Sequence, residues 1–201
     1  MPLVAVTVWS TRRKWLGNLI PAVFWLPPAV AGIYQIAAKG QLIGLGLWLL
    51  IASTVLGWLA VNFFGFFENA KMRASLERIL TTEGKSLAGE KVFVGFATPK
   101  YSSMLDAHED VGFLRILSDK LIFVSESRTI EIQKADVHGV RFRPNVHSVL
   151  LLGRWVSVEA KVGDQQIRLL VEPREKPTLV GNRFYGKKLL ATLRAWVPTL
   201  K

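Results

Sequence analysis

The stretch WLGNLIPAVFWLPPAVAGIYQIAAKGQLIGLGLWLLIASTVLGWLAVNFFGFF, residues 15–67, decides how this chain is built. Its only charged residue is Lys39, which separates apolar segments 15–38 and 41–67. A hydrocarbon core about 30 Å thick is spanned by about 20 helical residues. Both segments exceed that length, so the stretch reads as two membrane-spanning helices. The link Ala38-Lys39-Gly40-Gln41 is short enough to force an antiparallel pair.

The first span holds Pro21, Pro27 and Pro28. Each proline removes a backbone donor, and in lipid the freed carbonyls need partners that a neighbouring helix supplies. A kink is therefore expected near Pro27. The second span carries Gly46, Ser53, Gly57 and Ala60 at steps of seven, four and three. Such a stripe of small residues lets helix backbones approach closely. It is read as a packing face, for the first span or for a partner's helix. Arg12, Arg13 and Lys14 precede the pair, and Lys71, Arg73 and Arg78 follow it, against Lys39 alone at the turn. By the positive-inside rule both termini face the cytoplasm, which makes this a multi-pass inner-membrane protein. Arg12-Arg13-Lys14 followed by an apolar run and Ala29-Val30-Ala31 also has the layout of a cleavable signal. The prolines that interrupt the run argue against cleavage.

Composition agrees with an anchored protein. Half of the 201 residues are hydrophobic, and all 15 acids lie at or after Glu68. The formal charge of +11 suits an anionic lipid surface. The chain has no cysteine, which excludes disulfides, thiolate metal sites and cysteine nucleophiles. The organisation expected is a basic N-terminus at 1–14, a hairpin at 15–67, an amphipathic linker at 68–90 and a domain at 91–201.

In the linker, Met72, Leu76, Ile79 and Leu80 recur at helical spacing, so a helix there lies on the membrane or packs on the domain. From Lys91 the period changes to two. Strands are expected at 92–96, 111–117, 121–125, 129–133, 138–143, 155–162 and 166–172, with a further short strand at 149–152. Residues 97–110 read as a loop. A final helix is expected from an N-cap at Asn182, stopped by Pro198. About seven antiparallel strands and one amphipathic helix make an α+β domain, in which a curled sheet is capped by the C-terminal helix.

The segment from Gly112 to Val124, GFLRILSDKLIFV, resembles the central hairpin of bacterial pleckstrin-homology-like (PH-like) and GRAM domains. Ile130–Val137 resembles the segment that follows it in those families, and the closing helix matches their order. The resemblance covers about residues 90–197 and implies a PH-like binding module. Several bacterial membrane proteins with such domains carry them after a two-helix anchor. In PH relatives lipid binding often relies on a basic loop between the first two strands. The matching region here carries Lys100 but also Asp106, Glu109 and Asp110, which counts against phosphoinositide recognition.

Asp106, His108, Glu109 and Asp110 form the only cluster with the donors for a metal site or an acid–base pair. His138 and His147 lie well downstream, and the cluster is read as a solvated loop. Ser102, Ser103 and the histidines make no nucleophile arrangement, and Gly84-Lys85-Ser86 lacks the glycine of a phosphate loop. No catalytic, metal or cofactor residue is therefore expected. The outward basic residues Arg141, Arg143, Arg154, Lys161, Arg168, Lys187 and Lys188 are the candidates for contact with lipid headgroups or a protein partner. Nucleic acid is not expected, because Phe142 between Arg141 and Arg143 reads as core rather than as an exposed stacking platform. The function expected is a membrane-anchored module that mediates protein assembly or self-association at the inner leaflet. The alternative is recognition of anionic headgroups.

Overall fold

A computed structural model describes residues 8–85, 87–101 and 106–197. They form two units, one of residues 11–67 and one that joins residues 8–10 to 68–197.

The first unit is a helical hairpin of α1 (Thr11–Lys39) and α2 (Leu45–Phe64), both long and apolar enough to cross a membrane. Helix α1 runs unbroken through its three prolines. Pro27 and Pro28 have no amide to offer the carbonyls of Val23 and Phe24. The next carbonyl, Trp25, accepts a 2.6 Å hydrogen bond from Ser53 Oγ of α2. Close approach explains the glycines. A Cβ built on Gly32 would lie 2.8 Å from the Gly46 carbonyl oxygen, and one built on Gly46 would lie 2.8 Å from that of Gly32. One on Gly57 would lie 3.1 Å from Trp25 Cβ. Ala60 is buried further along the same face. Phe24 and Phe64 stack with ring centroids 5.3 Å apart. The outward faces, with Val23, Ile33, Trp48 and Val55, are exposed aliphatic and aromatic surface.

The second unit begins with Val8 and Trp9 and resumes at α3 (Asn69–Thr82). Seven strands follow: β1 (Lys91–Ala97), β2 (Asp110–Ile116), β3 (Lys120–Ser125), β4 (Thr129–Gln133), β5 (Val137–Arg143), β6 (Trp155–Val162) and β7 (Gln165–Pro173). A short helix α4 (Val146–Val149) links β5 to β6, and α5 (Leu179–Trp196) closes the unit. The sheet is antiparallel in the order β4-β3-β2-β1-β7-β6-β5. One hydrophobic core contains Phe96, Leu114 and Phe123 from the first half, Val156 and Val171 from the second, and Leu193 of α5. The sheet therefore curls so that α5 plugs its open side. Trp196 Nε1 donates to the Leu117 carbonyl at 2.6 Å, and Arg194 Nε donates to that of Val140 at 3.1 Å, so α5 ties both halves together. This α+β arrangement is compatible with a PH-like fold.

Strands β1 to β3 are buried on both faces. Phe93, Val111, Phe113, Ile122 and Val124 point away from the α5 core and are covered by Met72, Leu76 and Leu80 of α3 with Val8 and Trp9. That explains the continuous run Val92-Phe93-Val94, since a strand covered on both sides need not alternate. Of the two placements open to the linker helix, packing on the domain is the one observed.

Two local expectations are corrected. Residues 149–152 form no strand: Asn145 caps α4 through a reciprocal capping box with Ser148, and the chain turns at Leu151 with φ +57°. The last helix starts four residues early, capped by Thr178 Oγ1, which accepts from the Gly181 amide. Asn182 instead pins the preceding turn through the amide and carbonyl of Lys176. Pro198, Ser102, Ser103 and Ser86 lie outside the described residues.

Candidate functional site: a basic platform beside a buried histidine

Strand alternation puts Glu159 of β6 on the face opposite the α5 core, and the registers bring Arg141 beside Ser157 and Arg168 beside Glu159. Three of the predicted basic residues meet there. Glu159 accepts from Arg141 at 2.9 Å and from Arg143 at 2.7 Å, and Arg168 Nε lies 3.3 Å away. Burial opposes the charge on Glu159, but its hydrogen bonds to Arg143 and Arg141 outweigh it and hold the carboxyl below its ordinary range. Three cations around one anion leave a positive excess in a fixed arrangement.

The other basic residues do not join this group. Arg154 lies over the Phe142 ring, with Phe142 packed against the core. Lys161 is exposed further along β6, Lys187 lies over Phe184, and Lys188 lines a small cleft with Glu90. Beside the platform a cavity of about 400 Å³ is lined by Arg143, Asn145, Tyr101, Trp155, Leu170 and Asp106.

Behind that cavity the acidic loop departs from expectation. His108 is fully buried and Asp110 nearly so, which overturns the reading of a solvated loop. Asp110 accepts from the hydroxyls of Ser125 and Ser127, each at 2.6 Å, and so fastens the turn after β3. Glu109 accepts from Thr98 and pairs with Arg128 at 2.8 Å. His108 Nδ1 lies 2.7 Å from Asp106, and its Nε2 lies 3.0 Å from Glu172 Oε2. The same Glu172 oxygen lies 3.0 Å from His147 Nδ1. Arg174 is also buried. Its Nε donates to Asn69 Oδ1 at 2.8 Å, and its guanidinium lies 4.7 Å over the Trp9 ring. Trp9 Nε1 donates to the His108 carbonyl at 3.1 Å.

Two glycines make room for this cluster. A Cβ on Gly95 would overlap the His108 imidazole, and one on Gly153 would overlap the Glu172 carboxylate. Burial disfavours a charged His108, but Asp106 and Glu172 together outweigh it and raise its pKa above 6.5. Burial likewise opposes the charges of Asp106 and Glu172, and their basic neighbours hold both below their ordinary values. Burial pulls Arg174 down to about 10, which leaves it charged at neutral pH. Among the described residues no group of three or more His, Cys, Asp or Glu side chains is arranged to hold a metal ion.

No family model, curated protein or solved structure matches this chain. The geometry therefore stands alone. Trp9, His147, Glu172 and Arg174 were absent from the sequence-level candidates, because they sit far from His108 along the chain. One signal was available: a glycine in the middle of a strand, Gly95, marks a close approach by another group.

Proposed function

We propose that this protein is a membrane-anchored, PH-like binding module that gathers protein partners at the inner leaflet. The hairpin lies in the bilayer, with both of its ends on the cytoplasmic side. The observation that carries the reading is the platform of Arg141, Arg143 and Arg168 around Glu159, adjoining a cavity lined by Tyr101 and Trp155. Arginine, tyrosine and tryptophan are the side chains that most often dominate binding energy at protein interfaces. A pre-ordered guanidinium group also loses less freedom on docking than a mobile one. A partner segment with carboxylates beside one aromatic or aliphatic anchor fits both features.

The test is chemical cross-linking of the full chain in native membranes. A defined partner is expected, and it is expected to disappear with Arg141→Glu combined with Arg143→Glu. A protein that stays monomeric and captures nothing specific overturns the reading.

The positive excess of the same platform favours a second reading, recognition of anionic headgroups. It predicts enrichment of anionic lipid in the annulus that co-purifies with the full chain, lost in the same double variant. Unchanged lipid composition removes it.

A further inference from the structure

Between β5 and β6 the chain makes an apolar protrusion. Val146, Val149 and Leu151 are 61%, 83% and 66% exposed, and Leu150 between them is also exposed. Nothing about the segment is loose. The Asn145–Ser148 capping box closes its base, Ser148 Oγ donates to the Gly153 carbonyl at 2.9 Å, and the Leu152 amide donates to the His147 carbonyl at 2.9 Å. Leu152 is fully buried and anchors the far end. Leu151 takes φ +57°, a region a leucine rarely adopts, and its side chain stands in solvent there. Strain of this kind persists where the surroundings enforce it, and it concentrates at functional positions.

The chain that forms the protrusion and its flanks carries side-chain charge of one sign. Residues 137–158 contain Arg141, Arg143 and Arg154 and no acid. Arg183 of α5 reaches in to the Leu151 carbonyl. A groove of about 300 Å³ between Leu151, Phe142, Arg143, Arg154 and Arg183 separates the aliphatic tip from its basic rim.

We propose that Val146, Val149 and Leu151 insert shallowly into an anionic lipid leaflet, with Arg154 and its neighbours on the headgroup phosphates. This rests on the reading that the hairpin is in a bilayer. The aliphatic tip suits the acyl boundary, and the arginine rim suits the negative surface above it. A domain on the same chain as a bilayer anchor meets that surface at high effective concentration, so a small apolar patch suffices. A soluble protein partner with a matching apolar pocket is the competing occupant, and the measurement separates the two.

The chain has no cysteine, so Val149→Cys gives a single attachment point for an environment-sensitive dye. The full chain is placed in nanodiscs of phosphatidylcholine, with or without phosphatidylglycerol, that carry a shallow spin-labelled lipid. Blue-shifted and quenched emission is expected in the anionic discs. That quenching is expected to be lost with Arg154→Glu and at high salt. Val55→Cys, on the exposed side of α2, serves as the reference with a deep spin label. Quenching at Val55 without quenching at Val149 overturns the insertion alone. Quenching at neither position overturns the anchoring on which it rests, and the proposal with it. A blue shift at Val149 that no lipid label quenches assigns the protrusion to a protein surface and overturns the proposal.

Discussion

His108 sits where water does not reach, and two carboxylates hold both its ring nitrogens. Its pKa is raised above 6.5, so the stability it contributes is complete below about pH 6.5 and is lost as pH rises through the folded value. Asp106 and Glu172 are held below 3.8 and 4.5, so their contribution is present above those values and fades as pH falls through the folded ones. The domain is thus expected to be most stable between about pH 4.5 and 6.5. Urea titrations of the full chain in micelles, carried from below to above that range, check the profile. In His108→Gln the alkaline decline should vanish, and the gap to the parent should narrow as pH rises. Little of this was legible beforehand. The sequence reading grouped Asp106, His108, Glu109 and Asp110 as neighbours, yet the chemistry divides them. Asp110 and Glu109 fasten turns, while His108 joins Glu172, His147 and the neighbourhood of Arg174. Those contacts close over dozens of residues, and no local period encodes them.

At the scale of elements, the hairpin and the strands were the readable parts, because each is governed by a short repeat. Apolar length set α1 and α2, a continuous apolar run marked β1, and two-residue alternation marked strands such as β4 and β6. Ends and caps were less readable. Asn182 has the chemistry of a cap, but Thr178 lies nearer the turn and takes the position. Residues 149–152 are as aliphatic as a strand, but Asn145 and Ser148 wind the chain first. The α1–α2 crossing gives the sharpest test. Gly46→Leu places a side chain where the Gly32 carbonyl and Ile36 already lie. Overpacking of this kind costs about 1–3 kcal/mol. The expected result is a lower melting temperature of the helical signal in detergent, with Leu45→Ala, at an exposed position, as the neutral control.

At the scale of the whole molecule, the domain is discontinuous in the sequence. Val8 and Trp9 lie in the same core as α3 and the outer face of β1 to β3, so the hairpin is an insertion within the domain's own sequence. Trp9→Ala removes the ring beneath Arg174 and the donor to the His108 carbonyl. Truncating a buried tryptophan typically costs about 3–5 kcal/mol. The variant should unfold at clearly lower urea, with the loss concentrated in α3 and β1 to β3 by hydrogen exchange.

The position of Trp9 also bears on the order of synthesis. It leaves the ribosome about a hundred residues before His108, the group whose carbonyl it meets, and the two apolar helices come between. Val8 and Trp9 therefore find their seat only after the hairpin, α3 and the strands they pack on have been made. A cut within residues 11–67 would leave Val8 and Trp9 on one fragment and α3 with the seven strands on the other. Loss of the N-terminal fragment would then uncover the Arg174 guanidinium and the His108 carbonyl, the two groups Trp9 covers.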